Sequence, residues 1–147
     1  MSYKIITKYI KDASFEISDA KTYYLLEKNI KNHKIVCDIK SKRINENIIQ
    51  VDVSVKLAQK EGASVKNFFV SVELASVIQF EKNLEKEKLE KIILIEVPTE
   101  VYPDITSIIV FLFQKSGFNK VSFDQKIDFL KLYEQKKIKN NFFLVHF

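Results

Sequence analysis

A chain of 147 residues with 46% hydrophobic content and 12 phenylalanines can bury one substantial core, which excludes a disordered protein. Two glycines leave no glycine-rich phosphate cradle, and a single cysteine, Cys37, excludes an intrachain disulfide and any CxxC site. The net charge of +5 permits attraction to nucleic acid or an anionic surface, but 19 acidic residues are interleaved with the 24 basic ones.

Four segments alternate with the period of half-buried strands. Over 11–17, Ala13, Phe15 and Ile17 face one way, and Asp12, Ser14 and Glu16 the other. Over 35–44, Ile35, Cys37 and Ile39 point inward, which makes Cys37 a small core residue. INEN is short enough for a hairpin turn into 48–57, where Ile49, Val51, Val53, Val55 and Leu57 alternate with Gln50, Asp52, Ser54 and Lys56. After a loop over 59–66, the strand 68–80 places Phe68, Val70, Val72 and Leu74 inward and Ser71 and Glu73 outward.

The chain then becomes helical. NLEKEKLEKIILIE, 83–96, consists of strong helix formers and is expected to end near Val97, because Pro98 follows. Pro103 suits the first turn of a second helix running to Gly117. Asp124 is the expected N-cap of a third, 124–138, anchored by Ile127, Phe129, Leu130 and Tyr133. Strands first and helices afterwards predict an α+β domain, 1–139, with an antiparallel sheet covered on one face and a tail over 140–147. SIIVFLF is apolar all round, so the second helix needs cover on more than one side, and a second subunit is expected to supply it.

No catalytic constellation emerges. His33, placed in a polar loop, and His146 lie in no triad context, and HExxH, GxGxxG and P-loop patterns are absent from the sequence. An enzyme, a cofactor and a metal are not expected. MSYKIITK lacks the apolar stretch of a signal peptide, and IIVFLF, 108–113, is far shorter than a membrane span, so a cytoplasmic location is expected.

Three stretches resemble signatures of the SecB protein-export chaperone family. YIKDASFEI is similar to its Y-x-K-D-x-S-F-E strand through Tyr9, Lys11, Asp12, Ser14, Phe15 and Glu16. VPTEVYPDI is similar to its C-P-x-x-L-F-P-Y segment, with Pro98 and Pro103 at the family spacing and Val101 and Tyr102 between them. GFNKVSFDQKIDFLKLY keeps an F-x-x-L-x-L rhythm in Phe118, Val121 and Phe123, and a later F-x-x-L-Y in Phe129, Leu132 and Tyr133.

The resemblance implies a four-stranded antiparallel sheet with a proline-broken long helix and a C-terminal helix, assembled into a homotetramer as a dimer of dimers. It implies an ATP-independent holdase for unfolded polypeptides, with preproteins as clients. The groove would be lined by Ile78, Phe80, Val101, Tyr102, Phe118, Val121 and Phe123. An outer sheet face for the translocation motor SecA would comprise Asp12, Glu16, Ser71 and Glu73. Ile108, Ile109, Phe111 and Leu112 would lie between subunits. The chain departs from the family in its basic charge, its ending KKIKNNFFLVHF, and Val97 where a cysteine is usual. These departures suit an alternative, a SecB-like chaperone dedicated to an antitoxin or other single partner. A small basic nucleic-acid-binding protein ranks third, for want of a basic stripe with interleaved aromatics on the cleanest strands.

Overall fold

The computed structural model describes residues 2–30, 33–59, 68–119, 121, 123, 126–139 and 145–146. Three strands form a meander: β2 (His33–Arg43), β3 (Ile48–Gln59) and β4 (Phe68–Phe80). The first strand, β1 (Tyr3–Ile17), lies antiparallel beside β4, and helix α1 (Ala20–Asn29) occupies the crossover from β1 to β2. A two-residue strand, β5 (Val145–His146), adds parallel to β2 at Ile39 and Lys40, giving the order β1-β4-β3-β2-β5. The expected four-stranded antiparallel sheet is therefore present, with β5 added at one edge.

The alternation holds best in β3, where Val51, Val53 and Val55 are fully covered. Strand β1 is longer than its alternation suggests. Its register against β4 shifts between Ile5 and Thr7 and again between Ile10 and Asp12. Each shift reverses the side-chain parity. Tyr3 and Ile5 therefore share a face with Phe15 and Ile17, whereas in between it is Lys8 and Ile10 that pair with the inward positions Ser76 and Leu74. On the outer face Ala75 is small enough for β1 to reach across β4. Tyr9 Oη donates to Gln50 Oε1 at 3.1 Å, and Lys11 Nζ meets Asp52 Oδ2 at 2.8 Å. Asp52 points outward as its position in the alternation requires, yet it is 6% exposed, with Lys11 on Oδ2 and Gln50 Nε2 donating to Oδ1 at 2.8 Å.

The helical half is more continuous than its prolines suggest. Helix α2 (Lys86–Lys91) leads into a π turn, Ile92–Glu96, and then directly into α3 (Val97–Lys115). Pro98 cannot donate to the carbonyl four residues back, and the wider turn accommodates that loss: the Val97 amide bonds to Ile92 O. The irregularity thus falls one turn before Pro98, and Pro103 sits inside α3 instead of starting a new helix. Thr99 Oγ1 donates to Ile95 O at 2.5 Å and Thr106 Oγ1 to Pro103 O at 3.1 Å, which ties a carbonyl just before Pro98 and that of Pro103 itself.

Val97, Val101, Ile105, Ile109 and Phe113, spaced by four, form the buried stripe of α3 on the inner face of the sheet. Each such side chain contributes on the order of 2 kcal/mol by leaving water. Helix α4 (Phe129–Lys139) starts later than expected, because Asp128 Oδ1 accepts the Lys131 amide at 3.0 Å and acts as its cap. The expected cap Asp124, the expected loop after Gln59 and most of the tail lie outside the described residues. Phe129 and Tyr133 are buried as expected, while Leu130 is exposed. His33 is no loop residue: it begins β2, buried edge-on to Phe68 at 5.5 Å. Cys37 is mostly covered, and burial pushes its thiol up to about 12.

Candidate functional site

The seven groove residues expected from the sequence divide into two groups. Ile78, Phe80, Val101 and Tyr102 are core side chains, closed between β4 and the first half of α3. Arg43 lies 5.6 Å over the Phe80 ring, and Phe129 of α4 meets Tyr102 at 6.1 Å. Desolvation raises the Tyr102 phenol, with a smaller contribution from Cys37. In the single chain these four residues hold α3 and α4 to the sheet.

Phe118, Val121 and Phe123 gather elsewhere, at the junction that follows α3. Gly117 ends the helix with φ of 92°, a conformation that favours glycine, and the Phe118 amide bonds back to Phe113 O at 3.0 Å. This turn drives Phe118 back against Phe113, ring to ring at 5.4 Å. Phe113 also meets Phe15 at 5.0 Å, Phe68 at 6.0 Å and Phe123 at 6.0 Å. Side chains from β1, β4 and α3 and from the segment after it thus make one aromatic cluster. Beside it lies a cavity of about 490 Å³ lined by Glu27, Ile30, Gly117, Phe118, Asn119 and Val121.

Helix α1, which the strand-and-helix pattern did not predict, forms the other wall. Asp19 caps it by accepting the Thr22 amide at 2.8 Å, and this bond holds the Asp19 carboxyl below its ordinary range. Leu26 is fully buried, and Tyr23 packs 4.8 Å from Phe118 while donating from Oη to Gly117 O at 3.1 Å. The sequence did hold a signal for α1. Asp19 stands before a segment with Tyr23, Leu26 and Ile30 at helical spacing.

Two other surfaces complete the candidate regions. On the outer sheet face Asp12 sits opposite Glu73, Ser14 opposite Ser71 and Glu16 opposite Phe69. The residues expected to contact SecA are thus adjacent on β1 and β4, with Asp12 and Glu16 exposed and Ser71 and Glu73 half-covered. The face is not purely acidic. A depression of about 300 Å³ brings Lys40 and Lys56 to Asp12, Asp38 and Glu73, beside the exposed ring of Phe69. On α3, Ile109 is buried within the chain, Ile108 and Leu112 are half-covered, and Phe111 is 54% exposed with Lys115 Nζ 5.6 Å from its ring centre.

Among the described residues no three His, Cys, Asp or Glu side chains converge as a metal site. Among the described residues, no helix is long and apolar enough to cross a membrane. What the site offers is a largely buried aromatic cluster with a partly open cavity beside it.

Comparison with known proteins gives a direction. Residues 1–140 match the family described as preprotein translocase subunit SecB. A putative protein-export protein SecB of Pelagibacter ubique is 36% identical over 135 residues, covering 92% of this chain and 96% of that protein. The protein-export protein SecB 1 of Gluconobacter oxydans is 26% identical, covering 93% of this chain and 83% of its own length. Among solved structures, a SecB-like chaperone of Mycobacterium tuberculosis in complex with an antitoxin peptide superposes with a TM-score of 0.65 at 11% identity. It covers 86% of this chain and 91% of that one, and shows the likeness of fold.

Proposed function

From the premise that this chain belongs to the SecB family of chaperones, we propose that it is an ATP-independent holdase that keeps preproteins unfolded for export. The observation that carries this reading is the cluster of Phe113, Phe118 and Phe123 beside the cavity at the α3–α4 junction. Aromatic side chains accept many apolar sequences without requiring one. Passive holding then needs no fuel, because whatever binds the unfolded state draws the equilibrium toward it.

The test is suppression of aggregation of a denatured client diluted into buffer, followed by light scattering. The chain is expected to suppress scattering equally with and without ATP. Val121→Asp, which places a charge at the partly open rim of the cavity, is expected to lose most of that effect while keeping its circular dichroism spectrum. Unchanged suppression by that variant would move the client site away from this junction.

Assembly belongs to the same proposal. Phe111 is the large apolar side chain that α3 leaves exposed, and Ile108 and Leu112 flank it half-covered. A second α3 packed on this side would remove them from water, in keeping with a tetramer built as a dimer of dimers. On the outer face, Asp12, Glu16, Ser71 and Glu73 are the proposed contact for SecA.

A second reading is favoured by the lysines on that face. Lys40 and Lys56 dilute the acidic patch, and the resulting mixed surface suits a chaperone dedicated to one partner, such as an antitoxin. Titration of the chain with the SecA C-terminal tail separates the two: saturable binding lost in Asp12→Lys supports export, and no binding supports the dedicated chaperone.

A further inference from the structure

We infer that α1 is a gate over Phe118 and the cavity beside it and that Tyr23 is its latch, an inference that rests on reading this cavity as a client site. Tyr23 covers Phe118, with its ring tilted 43° at a centroid distance of 4.8 Å and its hydroxyl bonded to Gly117 O. The loop is shaped for that ring. A Cβ at Gly117 would meet Tyr23 Oη at 2.9 Å, so glycine serves both the left-handed turn and the close approach of the latch.

The hold of α1 on the rest of the chain is slight. It is ten residues long, shorter than helices that persist alone in water. Leu26 and Thr22 are its buried side chains and Tyr23, Leu25 and Ile30 pack half-covered against the core, while Tyr24 is 66% exposed and Lys21, Glu27 and Lys28 face solvent. A short element with few fully buried side chains opens at a lower free energy than global unfolding. Glu27 and Ile30 would leave the cavity wall with it, and Phe118 would lose its cover. The closed gate therefore shields the aromatic cluster until a client captures the open form.

The sign of the effect distinguishes a gate from a mere structural contact. When only the open form binds, apparent affinity is reduced by the open fraction. Weakening the latch must then strengthen binding, although it loosens the protein.

The experiment uses the full chain with a fluorescently labelled protein kept unfolded by reduction and carboxymethylation. Tyr23→Phe, which deletes the hydroxyl bond, is expected to raise affinity and association rate about threefold to tenfold, the factor corresponding to one net hydrogen bond. Leu26→Ala is expected to do the same more strongly. In both, hydrogen exchange should accelerate across α1 and stay unchanged in β3. Equal or weaker client binding by both folded variants overturns the gate while leaving client binding by the natural chain intact. Unchanged exchange in α1 for both variants also overturns it. If the natural chain binds no unfolded client, the reading of the cavity fails and the gate falls with it.

Discussion

Phe113→Ala is the substitution that most directly tests whether the aromatic cluster joins the sheet to the helical layer. The ring is fully buried at the end of the α3 stripe and has four aromatic neighbours between 5.0 and 6.0 Å away. Truncating a buried phenylalanine costs about 3–5 kcal/mol through lost transfer energy and the cavity left behind. The edge-on contacts, with planes at 89° to Phe15 and 85° to Phe118, place the expected cost at the upper end of that range. With a urea slope of about 2 kcal/mol per molar, the unfolding midpoint should fall by roughly 2 M. Circular dichroism at one fixed protein concentration reads this shift, since assembly would otherwise add its own concentration dependence. Phe111→Ala, two residues away and half exposed, provides the contrast and should cost less than about 1 kcal/mol in the unassembled chain. A loss below about 1.5 kcal/mol for Phe113→Ala would show that the junction repacks freely and that the cluster is not what fixes it.

Three further outcomes follow from other parts of the molecule. Phe111→Asp is expected to reduce the assembly seen by size-exclusion light scattering to a smaller species with unchanged secondary structure; an unaltered mass would remove α3 from the subunit interface. Acidification should loosen α1 first. The Asp19 carboxyl is depressed from its ordinary 3.8 by the Thr22 amide, so its contribution is present above that value and is lost as pH falls through the lower folded one. Exchange in α1 that is insensitive to pH between about 5 and 2.5, after correction for intrinsic rates, would contradict this. Cys37, its thiol pushed up to about 12 by desolvation, should resist a thiol reagent at pH 8 and react promptly in urea; rapid native reaction would place it outside the core.

The strands were legible wherever one face is wet and the register is regular, as in β3. The first half of β1 was not, because the shifts after Ile5 and Ile10 scramble the period that identifies a strand. Asp52 shows a related limit. Its outward direction followed from alternation, but its cover comes from Gln50 beside it and from Lys11, which reaches it across a whole strand past Ala75. The prolines were read correctly as a disturbance and placed one turn too late, since the π turn that absorbs Pro98 precedes it. For the site, residue type was visible but not cover. Phe118, Val121 and Phe123 stand in the sequence, yet the cover of Phe118 comes from Tyr23 of α1, more than ninety positions upstream.

The π turn at Ile92–Glu96 is topologically a one-residue insertion in an α-helix. Deleting one residue there would leave a helix that still reads as continuous. It would also swing Lys86–Lys91 about 100° around the axis relative to α3. Leu89, which faces Ile49 and Arg43 across the cavity at the β2–β3 hairpin, would be carried out of register while the stripe from Val97 to Phe113 stayed in place. The joint therefore sets the rotation of the hairpin-side helix relative to the stripe that α3 presents to the sheet.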